Sequence, residues 1–77
     1  MNLYKLWQDD NDDYDTYDSA VVCAESEDEA KSIADTEFDS EPIYGSWVAR
    51  EKVRCQLIGY AVSGMKKGIV VASFNAG

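Results

Sequence analysis

One stretch of this chain, from Ser26 to Phe38, carries apolar residues at helical spacing, while the other regular stretches alternate at strand spacing. That combination constrains the fold more than any other feature. Ser26 followed by Glu27, Asp28 and Glu29 has the form of a capping box, with Ser26 as N-cap and Glu29 reaching back from the third helical position. Three acids in the first turn complement the positive end of the helix dipole. Ala30, Ile33, Ala34 and Phe38 then make a narrow apolar stripe. The helix is expected to end near Phe38 or Asp39, because Pro42 pushes the residue before it out of helical geometry.

Before the helix, residues 3 to 8 (LYKLWQ) alternate as Leu3, Lys5, Trp7 against Tyr4, Leu6, Gln8 and predict a strand. Residues 18 to 25 (DSAVVCAE) set Ala20, Val22 and Ala24 against Val21 and Cys23, the pattern of a central strand covered in part on both faces. After the helix, residues 41 to 51 contain Pro42, Gly45 and Ser46 and read as a connection that Ile43, Tyr44 and Trp47 anchor to the rim of the core. Residues 52 to 62 (KVRCQLIGYAV) direct Val53, Cys55 and Leu57 inward and Arg54 and Gln56 outward, with Gly59 marking a bulge or a close backbone approach. SGMKKG predicts a hairpin turn with solvated lysines, followed by a last strand, IVVASF.

The order β-β-α-β-β predicts an α+β fold, a two-layer sandwich in which one antiparallel four-stranded sheet carries a single helix on one face. The other face bears Tyr, Trp and Lys side chains and, left uncovered, offers a surface for a homodimer. Residues 1–77 are expected to form a single domain, because a chain of 77 residues buries only a little over roughly 60% of its unfolded surface and cannot support two cores. A hydrophobic fraction of 45% is enough for a folded domain despite the high charge.

The charge is lopsided as well as large. Residues 1 to 41 hold fourteen acids against Lys5 and Lys31, a net of −12; residues 42 to 77 hold five cations against Glu51, a net of +4. An acidic surface repels phosphate backbones and attracts cationic ones, so direct nucleic-acid binding is disfavoured and a basic protein partner is favoured. Two cysteines, Cys23 and Cys55, are too few for a disulfide framework and sit in apolar runs. MNLYKLWQDD lacks a basic segment leading into a long apolar one, and no run approaches the length of a membrane span. A reducing cytosol and no membrane partner are expected.

Most catalytic chemistry lacks its residues here. There is no histidine, hence neither the commonest general acid/base nor the commonest zinc ligand, and two cysteines cannot close a tetrahedral zinc site. GSWVAREK and SGMKKG match neither a P-loop nor a dinucleotide fingerprint. Asp9, Asn11 and Asp13 reproduce the first half of a calcium loop, but the required Gly falls on Tyr14 and the bidentate Glu falls on Ala20. Cation binding by these carboxylates is then weak and incidental. A non-enzyme without cofactor or metal is the expectation.

What remains is recognition, carried by the residues between the first two strands, Asp9, Asp10, Asp12, Asp13, Tyr14, Asp15, Tyr17 and Asp18, together with the acidic helix start. A connection this long is uncommon without a role. Carboxylates along an extended loop imitate a run of phosphates, and tyrosines among them add flat amphipathic area that suits a partner rich in Arg or Lys. The plain alternative is a solvated loop that is hydrophilic because it is exposed.

Residues 14 to 30, YDTYDSAVVCAESEDEA, and residues 68 to 77, GIVVASFNAG, resemble a group of small proteins encoded in tailed phages and prophages. That resemblance implies phage origin and the cytoplasm of a bacterial host, and brings no activity or site. In size, acidity and element order the chain is also similar to several anti-CRISPR proteins. That likeness implies a partner in a nucleic-acid-binding defence complex of the host. A phage structural or assembly protein that self-associates through its sheet face is the alternative expectation.

Overall fold

The computed structural model describes residues 1–9, 16–38, 47–48 and 50–75. Strand β1 spans Asn2–Trp7, β2 Thr16–Ala24, helix α1 Glu27–Glu37, β3 Arg54–Tyr60 and β4 Gly68–Asn75, with a 3₁₀ turn at Arg50–Lys52 before β3. The four strands form one antiparallel sheet in the order β3-β1-β2-β4, and α1 packs on one face. This is the α+β sandwich that the sequence predicts.

Helix α1 starts as its residues dictate. Ser26 is extended, and its Oγ accepts a hydrogen bond from the Glu29 backbone N–H at 3.2 Å. Glu29 Oε1 reaches one residue further back than a capping box requires, accepting from the Glu25 N–H at 2.8 Å. At the other end Phe38 caps the helix, its N–H bonded to the Ala34 carbonyl at 2.8 Å. Ser26→Ala is expected to lower unfolding stability by about 1 kcal/mol, read from urea melts followed by circular dichroism; an unchanged midpoint would show that solvent replaces the cap.

The core lies between helix and sheet. Tyr4 and Leu6 from β1 and Ala20, Val22 and Ala24 from β2 face Ala30 and Ala34 of α1 and its capping residue Phe38, all buried. Alanines on both sides of the interface bring the helix backbone close to the sheet, while Leu6 and Val22, each fully buried, fill the middle. Ile33, the fourth residue of the expected stripe, is half-buried against this cluster. Trp47 is deeper than a rim anchor, only 2% exposed, and closes the Phe38 end of the core with Val48 and Val53. Ile43 and Tyr44, expected to anchor beside it, lie outside the described residues.

Two expectations are corrected. SGMKKG is not a hairpin turn, because β3 and β4 lie at opposite edges of the sheet. Residues 61–67 instead connect the two edges at the end where Asn2 pairs with both Ala24 and Tyr60. The Ala61 N–H bonds Met1 O at 2.9 Å, and Lys67 is tied to Glu29 at 2.9 Å rather than freely solvated. The physical reason is burial: β1 and β2 carry the small and fully buried residues that a central position needs, whereas β3 exposes Arg54, Gln56 and Leu57 and suits an edge. Among the described residues, the tyrosines are also displaced from the open face. Tyr4 is buried under the helix, Tyr17 packs on the same side, and Tyr60 pairs with Asn2. Among the expected side chains, Trp7 and Lys5 remain on the open face, with Lys5 Nζ 5.5 Å from the Trp7 ring centre.

Each edge strand has an irregular register. On β3 the shift skips Ile58, next to Gly59; on β4 it skips Val70. Bulges of this kind interrupt the row of free backbone groups that an edge would otherwise offer to another strand.

Candidate functional site

The acidic connection leaves the sheet where Trp7 pairs with Ser19, and its two stems are fixed by specific contacts. Gln8 is the one polar side chain among the buried residues described, 6% exposed, and it bridges the stems. Its backbone N–H bonds Asp18 O at 3.2 Å, and its side-chain Nε2 bonds Tyr17 O at 3.0 Å. Burying an amide without partners would be costly, so the Gln8 position specifies this arrangement of the β2 backbone.

The β2 side of the stem contains a bulge. The register to β4 shifts between Tyr17 and Ser19, leaving Asp18 as the extra residue. Strict alternation would place Tyr17 on the open face with Ser19; the bulge turns it to the helix side. There its ring stacks on Phe38, with centroids 4.0 Å apart and planes 14° from parallel, and Phe38 in turn meets Trp47 edge-on at 5.1 Å. On the β1 side, Asp9 Oδ2 accepts from Arg54 Nε at 3.2 Å.

Of the residues predicted for recognition, Asp9 and Asp18 are therefore exposed at the base of the connection, and Tyr17 is half-buried on the core. Asp10, Asp12, Asp13, Tyr14 and Asp15 lie outside the described residues. Sequence reasoning missed Gln8, Arg54, Phe38 and Trp47 as the anchors. Gln8 did carry a signal, since alternation groups it with Tyr4 and Leu6, the face of β1 that the structure buries.

The acidic helix start, expected to share this surface, lies at the other end of β2 from the described stem at Thr16. Ala24 pairs with Asn2 at one end of the β1-β2 ladder and Ser19 with Trp7 at the other, so the helix start and Thr16 are separated by most of β2, about 26 Å at strand rise. Glu25, Glu27 and Asp28 are exposed there. Glu29 is held below the usual carboxylate range, chiefly by the Glu25 N–H and then by its hydrogen bond to Lys67.

Many of the chain's cations are engaged internally. Besides Arg54 with Asp9 and Lys67 with Glu29, Lys31 pairs with Glu27 at 3.3 Å and Arg50 with Asp35 at 4.0 Å. Exposed pairs of this kind add little stability, but they leave the positive groups partly neutralised while the acids remain in excess. Arg50 also clasps the helix flank, donating to Asp28 O and to Ser32 Oγ.

Among the described carboxylates, Asp35 is the one that burial disfavours as an anion. Oδ1 is buried and has no hydrogen-bond partner among the described residues, and burial raises the pKa against the pull of Arg50 and Lys31. A carboxyl that holds its proton more tightly when folded contributes stability that is fully present below its unfolded pKa and lost as pH rises through the folded value. Asp35→Asn should therefore gain stability relative to the native chain as pH rises from the ordinary carboxylate value of 3.8 through the raised folded value, measured as the difference in urea midpoints. A constant difference would rule out this origin.

Other chemistry is sparse in the described region. No group of three His, Cys, Asp or Glu residues there is placed to hold a metal ion, and no helix there is long and apolar enough to cross a membrane. Cys23 is buried, its Sγ 3.9 Å from Met1 Sδ; burial pushes the Cys55 thiol up to about 11, far from a nucleophilic thiolate at neutral pH. The open face has a shallow depression of about 160 Å³ bordered by Lys5, Ser19, Val21, Val71 and Ser73, below the size of ordinary small-molecule sites. No family model matches this chain, and neither does any curated protein or solved structure.

Proposed function

We propose that this chain is a non-enzymatic phage accessory protein that binds a basic protein of its bacterial host through the acidic connection between β1 and β2. The observation that supports this reading is the anchoring of that connection. Gln8, the Arg54–Asp9 pair and the Tyr17–Phe38–Trp47 stack hold both stems on the core, so less order has to be gained on binding than for a free acidic tail. Six aspartates between residues 9 and 18 supply charge at a spacing that competes with phosphates for a cationic groove. A nucleic-acid-handling defence complex in the host cytoplasm has that kind of groove.

The test is a variant with Asp10, Asp12, Asp13 and Asp15 all changed to Asn. Its circular dichroism should match that of the native chain, and its capture of host proteins should fall at least roughly tenfold, as expected when charge steers and holds the complex. Native capture should itself weaken as salt is raised. Equal capture by the variant would overturn the proposal.

A second reading, a phage assembly protein that self-associates through the sheet, draws on Val71, 59% exposed on the open face. A stable, salt-insensitive dimer in light scattering would favour it over the first.

A further inference from the structure

We draw no further inference here: the strongest candidate, the apolar strip of Leu57, Ile58, Tyr60 and Val62 exposed along and just beyond the β3 edge, is interrupted by the bulge at Ile58, and nothing in the structure shows what covers it.

Discussion

Trp47→Ala is expected to remove about half or more of the folding stability of the chain. The side chain is 2% exposed and closes the core beside Phe38, whose ring it meets edge-on. Truncating a buried Trp costs about 3–5 kcal/mol, and a domain of 77 residues has only about 4–12 kcal/mol in total at the usual stability per residue. The lower half of that range is the relevant one for so small a core. Urea melts followed by far-ultraviolet circular dichroism should show the midpoint reduced by about half or more. Trp47→Phe separates packing from polarity, because it keeps a ring against Phe38 and removes a buried indole N–H that has no partner among the described residues. It should cost roughly half as much or less. If Trp47→Ala instead melts within about 1 kcal/mol of the native chain, Trp47 is not part of the cooperative core.

Leu6→Ala should be the next most damaging change, at about 3 kcal/mol or more. Leu6 is fully buried on β1, paired with Ala20 on one side and Cys55 on the other, in a core whose remaining members include four buried alanines. Those small neighbours have no rotamers with which to refill the space. The helix is also held in place at both ends, by Glu29 with Lys67 and by Phe38 with Tyr17, which limits how far it can settle onto the sheet. A cavity should persist and the urea midpoint should drop with little change in slope. A loss under about 1 kcal/mol would mean that the helix does move in, and the close-packed description of this interface would fail.

The parts of the fold legible in the sequence are those governed by short-range physics. Ser26, Glu29 and the Ala30–Ala34–Phe38 spacing define the helix within four residues of each contact, and period-two alternation directs Val53 inward and groups Leu6 with Tyr4 and Val22 with Ala20 and Ala24, the sets that the structure buries. Strand order was not legible, since it depends on which strands are buried on both sides, a property of the whole chain. SGMKKG looks like a hairpin because its residues suit a turn; only the competition for the two central positions shows that the segment bridges the edges. The same limit applied to the candidate site. Alternation counted from Ala20 puts Tyr17 on the open face, and the bulge at Asp18 reverses it. Glu29 reaches Glu25 rather than Ser26, while its other oxygen is taken by Lys67, a residue 38 positions away.

The edge positions of β3 and β4 also bear on how the molecule is made. The hairpin of β1 and β2 leaves the ribosome first, yet one of its flanks waits for β3 and the other for β4, whose last ladder partner joins Thr16 to Asn75 across 59 positions. β4 must therefore be synthesised before the sheet can close, and until then a nascent chain keeps hairpin flanks open to wrong neighbours.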